Sequence, residues 1–483
     1  MKPMPLSRIA QWTGGRLHGG DVLIDALSID TRTLDASDGR AALFVALKGE
    51  RSDGHDHVAA AADLGARAAL VSQAGDRALP QVVVADTERA LAAFAAALQR
   101  TRRTRVIAIT GSNGKTSVKT LALSILQRAV EREGGVAYAN PGNRNNEIGL
   151  PLAVIDAPDD ARYAIYEMGA GKPGDIAYLT NIVRPDVALV NNVAPAHLER
   201  MGSLLGIADT KAAIYDALSS DGVAVINADD TFSPWFEQRV LAERAHRRQL
   251  IRFGLDASAD VTARDLQQSV GGSRFTLRTP QGEAAVALSL PGRHNVANAL
   301  AAASLALAAG IALDVIAAGL GAAQQVAGRL GTHRLRNGAV LIDDSYNANP
   351  GSLDAAIATL AALPGERWLV LGDMRELGAD AATLHAEAGR RAKGAGITRL
   401  YALGTLSAAA AEAFGSGARS FDTHAQLAQA LRADLQLAAE GTAAAESAAA
   451  AELPVVLVKG SRGSAMDRVV DALLSGEGAA HAA

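Results

Sequence analysis

Residues 108–117 read Ala-Ile-Thr-Gly-Ser-Asn-Gly-Lys-Thr-Ser. They follow the apolar pair Val106-Ile107 and precede a helical stretch opening near Lys115, so a strand feeds a glycine-rich turn at a helix N-terminus. Such a turn aims several backbone N–H groups at one spot, which suits nucleotide phosphates. The expected cradle is Thr110, Gly111, Ser112, Asn113 and Gly114, with the two glycines permitting close backbone approach. Lys115 adds a positive charge, and the Thr116 hydroxyl is the expected Mg²⁺ ligand. A nucleotide is therefore the first partner expected of this chain.

At 483 residues, two to four domains are expected rather than one core. A composition of 49% hydrophobic and 20% charged residues is that of an ordinary globular protein. The net charge of −4 argues against a general nucleic-acid binder. With no cysteine there is neither a disulfide nor a thiolate metal site, which fits a reducing compartment. The opening Met1-Lys2-Pro3-Met4-Pro5 lacks the apolar core of a signal peptide, and the long apolar run 296–313 is broken by Asn298 and Gly310. A cytoplasmic protein with no membrane contact is expected.

Strand-like runs alternate with helical periods along the chain, which predicts an α/β fold with largely parallel, helix-covered sheets. Residues 41–47 and 81–84 read as strands and 88–100 as a helix; the polar 101–104 stretch reads as a hinge. After it come strand candidates 163–167, 186–193 and 222–226, a strand-rich patch around 250–290, and two Ala-rich helices ending near Gln325. A further β/α block carries strands 338–343, 367–371, 399–403 and 454–458, and 438–452 is Ala-rich and low in complexity. The domains expected are 1–104, 105–327 and 328–483.

Several strand ends carry polar residues. Glu167 in Tyr166-Glu167-Met168-Gly169 is placed to bind Mg²⁺ near the nucleotide. His197 follows the next strand, although a lone histidine is ordinarily a structural hydrogen-bonder; Lys211, taken alone, reads as a surface charge. Asn295 in Gly292-Arg293-His294-Asn295 opens a helix, as its N-cap or as a reader of a base edge. Asp343-Asp344-Ser345-Tyr346-Asn347-Ala348-Asn349-Pro350 ends a strand of the last block.

In their order along the chain, these segments, with Gly328-Arg329, resemble the Mur ligases, ATP-dependent amide-forming enzymes of peptidoglycan synthesis. The likeness spans essentially the whole chain. It implies the three-domain architecture of that family: an N-terminal domain holding the UDP end of the substrate, a central phosphate-loop ATPase-like parallel sheet, and a C-terminal Rossmann-like α/β domain. Gly142-Asn143-Arg144-Asn145-Asn146-Glu147-Ile148-Gly149, Asp344 to Pro350 and Gly372-Asp373-Met374-Arg375-Glu376-Leu377-Gly378 are most similar to the member that joins D-Ala-D-Ala to UDP-N-acetylmuramoyl-tripeptide. The member adding the third peptide residue typically carries Asp-Asn-Pro-Arg, which is absent here. That ligase, a folate-type polyglutamate ligase and a phosphate-loop regulator without ligase activity are the competing readings.

The resemblance further implies an acyl-phosphate route with two Mg²⁺ ions. Thr116 and Glu167 would hold the first ion, and His197 the second, with Glu167 able to share it. Lys211 matches a position that takes up CO₂ as a carbamate, which turns a cation into an Mg²⁺ ligand. Asn295 is expected at adenine, and Arg329 and Asp344 at the ATP phosphates and ribose, so the last domain must close on the central one. Asp30, Thr31, Arg32, Lys48, Gly49, Glu50 and Arg51 are candidate contacts to the UDP substrate, together with Asn145. A monomer is expected.

Overall fold

A computed structural model describes residues 1–49, 52–75, 79–195, 198–242, 247–444 and 453–475. The strand that feeds the glycine-rich turn, Arg105–Thr110, lies inside a six-stranded sheet whose pairings are all parallel. Its order is Gln249–Phe253, Val223–Asn227, Val187–Val190, Arg105–Thr110, Ala161–Glu167, Val136–Ala139. Side chains alternate along a strand, and here both faces are covered. Ile107 and Ile109 enter the core beneath the helices Lys115–Glu133, Arg293–Ala308 and Leu313–Ala322, while Val106 and Ala108 enter the core on the opposite face. That is why the sequence reads as unbroken apolar runs there.

The expected strand 186–193 is shorter in the structure, Val187–Val190. Beyond it the backbone leaves the sheet to brace the phosphate loop: Asn192 O accepts from Ser112 N at 3.0 Å, and Val193 N donates to the Asp230 carboxylate at 2.7 Å. The patch around 250–290 resolves into Gln249–Phe253 at the sheet edge and a separate antiparallel unit, Thr262–Ser269, Gly272–Thr279 and Gly282–Leu288. The second Ala-rich helix ends at Ala322 rather than near Gln325. The helix His424–Ala444 covers the first part of the low-complexity stretch; 445–452 lie outside the described residues.

The N-terminal block carries a five-stranded sheet in the order Arg16–His18, Gln81–Val83, Ala68–Val71, Ala42–Val45, Ala26–Ser28, parallel except for its first pair. The 101–104 stretch is not a hinge. The Arg102 side chain, 2% exposed, ion-pairs with Asp159 at 2.8 Å and donates to the Val154 and Ala157 carbonyls at 2.5 and 2.8 Å. A single apolar cluster runs from Leu6 and Phe94 of this block to Leu150, Ile176 and Tyr215 of the central one, so the two share a core.

The last block has cores of its own, drawn from buried residues between Leu330 and Leu473. Its six-stranded sheet runs Gly331–Arg334, Val340–Asp344, Val455–Lys459, Arg367–Gly372, Arg399–Leu403, Ala418–Phe421, antiparallel only at the first pair. Gly328 opens it at φ +71°, where an added Cβ would meet Tyr346 Cβ at 3.0 Å, so the turn requires glycine. Among the described residues no helix is long and apolar enough to cross a membrane.

Candidate active site

The C-terminal ends of the central strands open onto a cleft of about 750 Å³, the usual place for a ligand in a sheet of this type. The phosphate loop forms its floor, and the last block forms one wall through Arg329, Asp344, Asn349 and Lys459. The loop is braced from below. Asn113 N donates to Asn192 Oδ1 at 2.8 Å, and Asn191 Nδ2 donates to Asn113 O at 3.0 Å. The N–H groups of Ser112 and Asn113, expected at the phosphates, are thus used within the protein. The helix Lys115–Glu133 still presents first-turn N–H groups, which have no intrahelical partner. Lys115 Nζ curls back over the loop and donates to Gly111 O at 2.7 Å.

Glu167 ends its strand 3% exposed and is held from every side. Thr116 Oγ1 donates to its Oε2 at 2.9 Å, and Asn145 Nδ2 donates to its Oε1 at 3.0 Å. Burial pushes this carboxyl up, but the Lys119 and Lys115 ammoniums and those two hydrogen bonds outweigh it and hold the group below the usual range. A hydroxyl and an ionised carboxylate side by side at the mouth of a phosphate loop form a hard-oxygen donor pair that fits Mg²⁺. Asn145, a candidate contact to the UDP substrate, thus lies in the cleft beside Glu167.

Asn140 is a residue that sequence reasoning missed. Its side chain accepts from Glu167 N at 2.9 Å and donates to Glu167 O at 3.1 Å and Arg144 O at 2.9 Å, clamping the strand end from a neighbouring strand. Since each such bond contributes about 1 kcal/mol, Asn140→Ala is expected to cost about 3 kcal/mol in denaturant unfolding. An unchanged midpoint and slope would show that the clamp is not needed.

Lys211 is not a surface charge. It lies on the helix Leu204–Asp216, 4% exposed, and faces the cleft without a hydrogen-bond partner among the described residues. Burial, and secondarily the Lys115 ammonium, pushes it down to about 7. His197, Glu50 and Arg51 lie outside the described residues.

Asn295 lines the cleft but does not cap its helix; Gly292 occupies that position. Instead Asn295 sits one turn in, where its Nδ2 donates to Pro291 O at 2.8 Å and its Oδ1 accepts from Asn298 at 3.3 Å. From the last block, Arg329 Nη2 donates to Thr116 Oγ1 at 3.1 Å, and Asn349 Nδ2 donates to Asn113 Oδ1 at 2.8 Å. Arg329 also stacks 4.4 Å over the Tyr346 ring. Asp344 pairs at 2.5 Å with Lys459, its register neighbour on the adjacent strand. Lys459 was overlooked, although it ends an apolar strand just as Glu167 does.

Of the described candidate UDP contacts, Asn145 lines this cleft, whereas Asp30, Thr31, Arg32, Lys48 and Gly49 do not. Asp30 caps the short turn Thr31–Thr33, and the exposed Arg32 guanidinium beside it holds its carboxyl down to about 2. The Lys48 and Asp53 backbones pair in an isolated antiparallel β-bridge, with Gly49 N bonded to Ser52 O at 2.9 Å.

The site and fold have close counterparts. The chain matches the family models of the Mur ligase family catalytic domain over residues 24–108, the Mur ligase middle domain over 109–306, and the Mur ligase glutamate ligase domain over 328–462. It is 42% identical over 475 residues to the UDP-N-acetylmuramoyl-tripeptide–D-alanyl-D-alanine ligase of Escherichia coli, covering 98% of this chain and 99% of that one. The chain belongs to the Mur ligase family. This Mur ligase is also 34% identical to the equally named enzyme of Bacillus subtilis, over 94% of this chain and 93% of that one. Among solved structures it is similar to MurF from Acinetobacter baumannii, with a TM-score of 0.88 at 32% identity over 98% and 99% of the two chains. MurF ligase from Thermotoga maritima, solved in complex with ADP, superimposes with a TM-score of 0.78 at 25% identity, over 93% and 97%. The three-domain Mur ligase architecture implied by the sequence is thereby established, as is an ATP-dependent ligase activity.

Proposed function

We infer that this Mur ligase joins D-Ala-D-Ala to UDP-N-acetylmuramoyl-tripeptide at the expense of ATP, through an acyl phosphate. One observation carries the chemistry: the phosphate loop, Glu167, Lys211 and the Arg329–Asp344 wall meet in one cleft, although they come from separate parts of the chain. The substrate pair is supported by full-length likeness to enzymes named for that reaction and by the Asp344–Pro350 segment.

The difficulty is one of charge, because a carboxylate must approach a triphosphate. The first-turn N–H groups of the helix at Lys115 and the Lys115 ammonium, once it swings off Gly111 O, orient the phosphates and take up charge on the transferred group. Mg²⁺ would supply the remaining positive charge: Thr116 and Glu167 would hold one ion, and His197 with an anionic carbamate on Lys211 would hold a second. The substrate carboxylate oxygen attacks the γ-phosphorus, the bond to the β-phosphate oxygen breaks, and ADP leaves. The D-Ala-D-Ala amine then attacks the acyl carbon, phosphate departs, and the amine proton is lost to give the amide. Arg329 presently occupies the Thr116 hydroxyl, so the last block would release and re-engage around the nucleotide, pivoting near Val326–Gly328. Asn295 would meet the base, and Arg329 and Asp344 the phosphates and ribose; all three line the cleft. The Asp30-Thr31-Arg32 turn and Lys48-Gly49, which do not line the cleft, would take the UDP end.

Phosphate release from ATP is expected to require the UDP-muramoyl tripeptide and D-Ala-D-Ala together. D-Ala alone lacks the second residue's binding groups and should lose roughly 10²-fold in kcat/KM. If UDP-muramoyl dipeptide and a free diamino acid support turnover instead, the enzyme adds the third residue.

A further inference from the structure

Lys119 is a buried cation to which the reaction assigns no role. It lies one helical turn after Lys115 and so on the same face of the helix Lys115–Glu133, with its side chain 7% exposed. Its ammonium has three protons and three protein acceptors: Asn140 O at 3.0 Å, Gly142 O at 3.0 Å and Glu167 Oε2 at 3.2 Å. No donor is left for a phosphate or a substrate carboxylate. Whatever Lys119 does for the site, it does through Glu167 and the 140–142 turn.

The oxygen it contacts is the one that also accepts from Thr116, so it is the oxygen that faces the proposed ion. A fixed positive charge there has two opposed effects. It keeps the buried carboxylate ionised and aimed, and it repels any second cation that approaches the same oxygen. Across the gap, the Arg329 guanidinium occupies the Thr116 hydroxyl in the same way. The donor pair is thus already charge-compensated by the protein.

We propose that Lys119 is a positioning residue, a built-in counter-cation of Glu167 that makes the Thr116–Glu167 pair a weak divalent-cation site until a polyphosphate arrives. The phosphates bring enough negative charge to overcome the repulsion, so the ion enters with the nucleotide rather than before it. Removing the charge while keeping the side-chain bulk should therefore strengthen metal binding to the nucleotide-free protein, which a merely structural lysine would not do.

The test measures Mn²⁺ binding to the nucleotide-free, full-length protein from the free-ion spin-resonance signal. Lys119→Met is expected to bind Mn²⁺ at least tenfold more tightly than the parent, and Lys119→Arg, which keeps the charge, no more tightly. Should Lys119→Met not fold, Lys119→Gln retains an amide donor for the two carbonyls and carries the same expectation. Equal or weaker binding by a folded neutral variant overturns the proposal and leaves Lys119 as a prop for the 140–142 turn. The proposal rests on Thr116 and Glu167 as ligands, which Glu167→Gln tests separately. If Glu167→Gln with ADP binds Mn²⁺ as the parent does, that assignment fails. If it loses binding while Lys119→Gln shows no gain, only the present proposal fails.

Discussion

Lys115→Ala is expected to slow ATP-dependent phosphate release by about 10²–10³-fold, the roughly 3–4 kcal/mol typical of one charge-stabilising group in a water-excluded site. The structure says why the loss should be catalytic rather than structural. The side chain crosses the phosphate loop without entering a core, and its firm contact is one carbonyl, Gly111 O at 2.7 Å. Burial, more than the nearby Arg329, pushes the ammonium's affinity for its proton down, and Glu167 opposes this. An incoming phosphate would restore the balance, because it provides the anion that the ammonium lacks. Steady-state phosphate release read alongside a thermal melt separates the two effects. A folded Lys115→Ala protein with near-normal turnover would remove the loop from the chemistry.

A comparable loss, on the order of 10² or more, is expected for Lys211→Arg. A bare ammonium 4% exposed and without a partner among the described residues is costly, and burial accordingly pushes it down to about 7. Near neutral pH a large share is therefore free amine, the form whose nitrogen can bond to CO₂, lose its proton and become an anionic carbamate. A guanidinium stays protonated and cannot follow that route. Lys211→Glu restores an anion on a shorter arm and should do no worse than arginine. Turnover assays on folded variants decide this, and native mass spectrometry in bicarbonate should show the added CO₂ on the parent alone. An active Lys211→Arg enzyme would reduce the lysine to a packing residue.

The loop at 110–116 and the strand-end Glu167 were legible because each signal is local. A glycine-rich turn between an apolar strand and a helix has one dominant reading, and a carboxylate ending a buried strand stands out against its neighbours. Lys211 was legible only through family likeness, since a lysine on a helix carries no mark of which way it faces. Lys119, Asn140 and Lys459 were missed for a related reason. Their partners lie on or just beyond strands distant in sequence, and only the packing of the sheet and its helices makes them neighbours.

By itself the sequence determined the α/β class, the phosphate loop and the helices and strands that flank it, because apolar periodicity and turn chemistry act over a few residues. It also contained, in the order of its motifs, the likeness to a family. The tertiary structure alone decided that the 101–104 stretch is pinned through Arg102, since a polar tetrapeptide looks the same whether its arginine meets water or Asp159. It likewise decided that Asn145 donates to Glu167, that Ser112 and Asn113 spend their N–H groups on Asn192, and that Arg329 reaches Thr116 across 213 residues. Each of these follows from strand order and domain docking, where the free energy lies in burying shared faces rather than in any local run of residues.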